Sequence, residues 1–362
     1  MDGAPRAVRR TSPPRSGFLM KPVIAITTGD PFGVGPEVCL KAAASPAVLE
    51  ACRPLLIGDR DYLLRVGKGL AGTDATGWPE VSMTALEWGS KQGSDAAVRS
   101  WPEGPAIHDM GDRPESPPAP GPSASGGRSS AMYVKQAVAL ARTGTAAAVV
   151  TAPISKEALR LANVRYPGHT ELLADLCGLE FGEVAMMFVT SDLKVALLTV
   201  HLPLREAIAA ISQEAILARL RLLQSEHRRW FGNDPRLGVC GLNPHAGEAG
   251  LFGAEERDIL SPAIAAARQA GVDASGPFPA DTLFWRAARG EFDVVLALFH
   301  DQATIAVKAR SFGSAVNMTL GLPFLRTSVD HGTAYDIAGR GLADHGSLVE
   351  AILLAARLAS RT

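Results

Sequence analysis

The sequence predicts an α/β protein built around a mainly parallel sheet, and three observations carry that expectation. β-Branched runs alternate with amphipathic helical patterns, the arrangement of a parallel sheet covered on both faces. At 362 residues the chain exceeds the size at which one hydrophobic core usually stops growing, so two domains are expected. Several apolar runs stop abruptly at polar side chains, as strands do when their carboxyl ends open into a ligand crevice.

Residues 1–19 are rich in Arg, Pro and Ser and lack the apolar segment of a secretory signal, so they read as a disordered tail. Val23–Thr28 reads as the first strand. The GDPFGVGPE that follows turns the chain into a helix near Glu37, with Pro36 suited to its first turn. PLLIGDRDYLL repeats that form. Residues 112–130 are mostly Pro, Gly and Ser and predict a loop or linker. Helical patterns follow at Ala131–Arg142, Thr170–Cys177, Arg205–Trp230, Glu255–Gln269 and Ser347–Ala359. The expected division is a first domain over 20–150, completed by about 320–362, and a second over 151–320.

Composition narrows the function. The chain is 47% hydrophobic and 20% charged with net charge −1, and its 36 basic residues are dispersed. That excludes the basic face by which nucleic-acid binders neutralise phosphates. No apolar window approaches a membrane span. Cys39, Cys52, Cys177 and Cys240 are far apart in sequence, which fits small buried hydrophobes in a reducing, cytoplasmic setting better than disulfides.

The strand ends carry the chemistry. KVALLTVHLPL stops at His201, RLGVCGLNPHAGE reaches His245, and DVVLALFHDQ stops at His300. Strands of one parallel sheet can deliver three imidazoles to one crevice, and three neutral imidazoles with an open position describe a catalytic metal site. Asp281, Asp301 and Glu248 are placed to orient them. A satisfied core or turn role remains open for each histidine taken alone. In GHTELLADL, Thr170 is suited to cap a helix whose exposed N-terminus, with His169, would favour an anion. Lys308, Asn317 and Arg326 supply a point charge, an amide and a planar fork for phosphate or carboxylate, unless they are surface charges. Neither GDPFGVGPE nor DHGTAYDIAGRG has the GxGxxG spacing of a dinucleotide-binding turn.

The motifs GDPFGVGPE, TAPISK, GHTE, HLPL, GLNPHAGE, PADTLF, HDQ, VNMTLGLPFLRTS and DHGTAYDIAG occur in that order from about Lys21 onward. In them the sequence resembles the 4-hydroxythreonine-4-phosphate dehydrogenases of vitamin B6 biosynthesis. Ala303 departs from the glycine usual there. The resemblance implies a two-domain α/β/α fold of the isocitrate and isopropylmalate dehydrogenase type and a homodimer whose metal site is shared across the interface. It implies His201, His245 and His300 as ligands of a divalent ion (zinc, magnesium or cobalt), and His169, Thr170, Lys308, Asn317 and Arg326 as substrate contacts. NAD or NADP would lie near DHGTAYDIAG, at His331, Gly332 and Asp336. The implied reaction oxidises 4-phosphooxy-L-threonine at C3 and decarboxylates it to 3-amino-2-oxopropyl phosphate, with Asp281, Asp301 and Lys156 as candidate bases. Sibling dehydrogenases of erythronate or threonate 4-phosphate, or of a dihydrodiol carboxylate, are the near alternatives. A metal-dependent hydrolase is the distant one.

Overall fold

Among the described residues eleven strands, numbered in chain order with the ranges given below, form one sheet in the order β3-β2-β1-β4-β11-β10-β5-β6-β9-β7-β8. The structure is a computed structural model and describes residues 21–70, 73, 75–81, 102–115, 120–166, 168–311 and 313–361. The tail expected over 1–19 lies outside the described residues. The strands are β1 (Val23–Thr27), β2 (Arg53–Gly58), β3 (Ala106–Asp109), β4 (Ala148–Thr151), β5 (Ala185–Val189), β6 (Lys194–Leu197), β7 (Leu237–Cys240), β8 (Ala274–Phe278), β9 (Val294–Ala297), β10 (Val316–Leu320) and β11 (Leu325–Ser328).

Both faces of the sheet are covered. In β1 every residue is buried, yet Ile24 and Ile26 join one apolar cluster while Val23 and Ala25 join another. Side chains alternate across a strand, so the two clusters lie on opposite faces. Helix Gly346–Ala359 closes the first face and helix Ala124–Arg142 the second. This is the mixed α/β architecture, with a mostly parallel sheet, that the strand–helix alternation predicts.

The sheet is not parallel throughout. β10 pairs antiparallel with β11 and β5, and β5 antiparallel with β6. All other strand pairs are parallel. The strands of residues 23–151 with β11 therefore run opposite to β6, β9, β7 and β8. Carboxyl ends of the two groups point to opposite edges of one continuous sheet.

Four expectations need correction. The presumed loop over 112–130 ends early, because a helix starts at Ala124, capped by Ser123 Oγ accepting from Gly126 N at 3.0 Å. Its glycines serve contact: a Cβ on Gly127 would stand 2.0 Å from the Ala158 carbonyl of helix Lys156–Leu161. The single helix expected at Arg205–Trp230 is two, Leu204–Ala209 and Gln213–Phe231, because Ser212 caps a new start by accepting from Ala215 N. Thr170 is not a cap. Gly168 holds that position without a side-chain bond, and Thr170 lies inside helix His169–Cys177. Three cysteines are buried, but Cys177 is only partly so.

Candidate active site

A cavity of about 670 Å³ opens between the ends of β4, β11, β10 and β6 and helix His169–Cys177. Its polar lining is unusual in what it lacks. Arg326, on β11, is 2% exposed. Its Nη1 donates to Thr319 Oγ1 at 2.8 Å and its Nη2 to Thr151 Oγ1 at 2.6 Å. Both partners are neutral hydroxyls, and Nε is buried without a partner. Burial lowers the guanidinium pKa to about 9, with no carboxylate among the described residues opposing it. A buried cation without a counter-ion is costly and marks a place that awaits an anion.

Two further orphaned atoms face the same cavity, the Nε2 of His169 and the Oδ1 of Asn317. Buried polar atoms in native proteins are almost always bonded, so three orphans around one space describe a ligand's partners. Burial, helped by the Arg326 charge, pushes the His169 imidazole well below its ordinary pKa, so it is neutral. Thr170 also lines the cavity. His169, Thr170, Asn317 and Arg326 are thus brought together from helix His169–Cys177, β10 and β11. Lys308 is not. It is exposed in helix His300–Ser311 and pairs with Asp330 at 3.4 Å, outside the cavity lining.

The histidines divide in the same way. His201 lines the cavity, and its ring lies 5.6 Å from that of His300. His300 Nδ1 is bonded to Asp301 Oδ1 at 2.8 Å, which leaves Nε2 free. Burial lowers the His201 pKa, and the charges of Lys156 and His300 lower it further against an opposing Glu171. A neutral imidazole beside one oriented by a carboxylate is the donor chemistry a divalent ion needs, so these two residues fit a metal. His245 stands apart on the turn after β7, where its nearest ring neighbour is Phe252 at 6.1 Å. Among the described residues of one chain, no three His, Cys, Asp or Glu converge on a point.

Of the candidate bases, Lys156 lines the cavity at the start of its helix, whereas Asp281 and Asp301 are exposed and outside its lining. His331 also reaches the cavity, with its Nδ1 bonded to the Gly332 carbonyl at 3.0 Å; Gly332 and Asp336 are exposed nearby. Sequence reasoning missed Thr151 and Thr319, which hold the guanidinium, because a threonine in a strand carries no signal of its own. It also missed Asp30. This fully buried carboxyl accepts from Phe32 N at 3.0 Å and Tyr335 Oη at 2.8 Å, tying the GDPFG loop to DHGTAYDIAG.

An α/β sheet that offers a buried guanidinium to an open cavity lined by its strands has the form of an enzyme that binds a small molecule. Comparison with known proteins narrows this. Residues 50–355 match the family described as pyridoxal phosphate biosynthetic protein PdxA. The chain is 43% identical to a 4-hydroxythreonine-4-phosphate dehydrogenase of Geobacter metallireducens, covering 94% of this chain and 96% of that one. It is 44% identical to a D-threonate 4-phosphate dehydrogenase of Cupriavidus necator, covering 94% and 98%. The crystal structure of a 4-hydroxythreonine-4-phosphate dehydrogenase from Burkholderia phymatum is similar at 40% identity and a TM-score of 0.78, covering 94% and 99%. The chain belongs to the PdxA family and is an oxidoreductase of the dehydrogenase type. No helix among the described residues is long and apolar enough to cross a membrane.

Proposed function

We propose that this protein oxidises 4-phosphooxy-L-threonine at C3 with NAD or NADP and decarboxylates the product to 3-amino-2-oxopropyl phosphate, within pyridoxine 5′-phosphate synthesis. The observation that carries the reading is Arg326, a buried cation without a counter-ion among the described residues, set beside orphaned polar atoms of His169 and Asn317. A phosphate or carboxylate accepts from Arg326 Nε and, in the Nε2–H tautomer, from His169, while Asn317 Oδ1 takes a donor such as a hydroxyl or ammonium of the same substrate. Binding energy at that remote group orients the reacting carbon.

His201 and His300 would hold a divalent ion, completed by His245 from this chain or from a second copy in a homodimer. Such an ion supplies Lewis-acid polarisation of the substrate hydroxyl and of the charge developing on decarboxylation. The dinucleotide, held near His331, Gly332 and Asp336, supplies the hydride acceptor. Lys156 is the proposed proton acceptor, since it lines the cavity with His201, whereas Asp301 is engaged with His300 and, like Asp281, lies outside the lining. Thr170, at the amino end of its helix, adds a hydroxyl to the anion's shell. Lys308 would join only if its pairing with Asp330 opened.

The identity to a D-threonate 4-phosphate dehydrogenase favours a second reading, in which the same site takes a sugar-acid phosphate. Assaying NADH or NADPH formation with 4-phosphooxy-L-threonine and with threonate and erythronate 4-phosphates, with Zn²⁺, Mg²⁺ or Co²⁺ added, separates them. Turnover of the sugar-acid phosphates alone overturns the first reading. Product without nicotinamide reduction overturns both.

A further inference from the structure

The strands whose ends carry the three histidines lie side by side in the order β6, β9, β7. The ladder between β9 and β7 ends at Leu296 and Val239, before either histidine is reached. Beyond that point the strand ends would be free to splay, yet hydrogen bonds continue across them. Thr199 Oγ1, two residues before His201, donates to the Leu298 carbonyl at 2.8 Å. Leu298 N donates to Gln302 Oε1 at 2.8 Å, and Gln302 Nε2 donates to the Gly241 carbonyl at 2.9 Å.

On the far side of Gly241 the buried Glu256 carboxylate takes over. Its Oε1 accepts from Leu242 N at 2.8 Å and Asn243 N at 2.7 Å, and its Oε2 accepts from Asn243 Nδ2 at 2.9 Å. The chain then enters a left-handed run in which His245, Ala246, Glu248 and Ala249 have φ of 54°, 52°, 43° and 56°. Residues with a Cβ avoid that region and stay there only when their surroundings impose it. His245 is therefore presented by a strained turn whose entrance is pinned at Gly241, Leu242 and Asn243.

We infer that Gln302 is a positioning residue that sets the offset between the His300 and His245 ends of the sheet, and so the spacing of the metal ligands. This rests on the metal reading above. The Gln302 amide offers an acceptor to one strand and a donor to the other within a single side chain. With His245 in its own chain this offset is the spacing of two ligands of one ion; with His245 from a second copy it relates the two metal sites that one chain serves.

The test uses the full chain, stripped of metal and titrated with Co²⁺, following the visible ligand-field band. Gln302→Glu keeps the volume and the acceptor for Leu298 N but faces the Gly241 carbonyl with a carboxylate; Gln302→Met loses both bonds. Both variants should bind Co²⁺ about 10- to 100-fold more weakly, with an altered band. Inorganic phosphate affinity should stay within about twofold of wild type, because the Arg326 end is untouched. Unchanged Co²⁺ affinity and band overturn the inference. So does a parallel loss of phosphate affinity, or a failure of both variants to fold, since either makes Gln302 a general structural residue. A wild-type protein that takes up no Co²⁺ overturns the metal reading itself, and the inference with it.

Discussion

Replacing Arg326 with methionine will stabilise the ligand-free protein and remove its response to phosphate. Burial lowers the guanidinium pKa by more than three pH units, to about 9. At about 1.4 kcal/mol per pH unit, the fold disfavours the charged form by roughly 5 kcal/mol. Against this stand the hydrogen bonds to Thr319 and Thr151, worth about 1 kcal/mol each in net terms. The balance favours methionine by about 1–3 kcal/mol, in line with other replacements of buried charge by apolar groups of similar volume. Methionine follows the unbranched stem of arginine, so little cavity is left. The assay is thermal unfolding across a phosphate series. Wild type should rise in midpoint as phosphate binds the folded state, whereas the variant should start a few degrees higher and stay flat. A variant less stable than wild type without phosphate, or one with the same phosphate-dependent rise, refutes the reasoning.

Two more perturbations test the frame around the site. Burial holds the His227 imidazole below its ordinary pKa, with its ring stacked on Phe231 at 4.7 Å and its Nδ1 bonded to the Asn233 carbonyl. A depressed histidine takes up a proton on unfolding, so its contribution is present above pH about 6.5 and is lost as pH falls through the folded value. Urea midpoints at pH 7.5 and pH 5 should therefore differ less for His227→Phe than for wild type; an equal slope counts against this. Gly29 has φ +71°, and a Cβ there would stand 2.2 Å from the Pro153 carbonyl, which Asp30 N already holds at 2.9 Å. Gly29→Ala should cost about 3 kcal/mol or more in urea unfolding, and a loss below about 1 kcal/mol would show that the loop relaxes freely.

Much of the architecture was legible because its causes are local. Runs such as VIAIT and VVLA are apolar throughout, so they read as strands buried on both faces, and the polar residues that stop them mark the sheet's edge. The helix at Ala124 was not legible, because its glycines look like a linker until the backbone of Ala158 is seen against them. The break at Ser212 was missed because one apolar period runs through both helices. Lys308 shows the limit of residue-type reasoning: its charge suits phosphate, but the fold sets Asp330 beside it.

By itself the sequence determined the strand–helix alternation, the family, and the histidines, amide and guanidinium that bear the chemistry. Only the tertiary structure decided that β10 and β5 reverse the sheet's direction, that His201 and His300 are neighbours while His245 sits on a left-handed turn, and that Arg326 is held by two hydroxyls. The physical reason is that a side chain's type is written at its own position, whereas its electrostatic state depends on partners brought from elsewhere. Arg326 meets Thr151 across 175 residues of chain, and no local pattern records whether the group found there is a hydroxyl or a carboxylate.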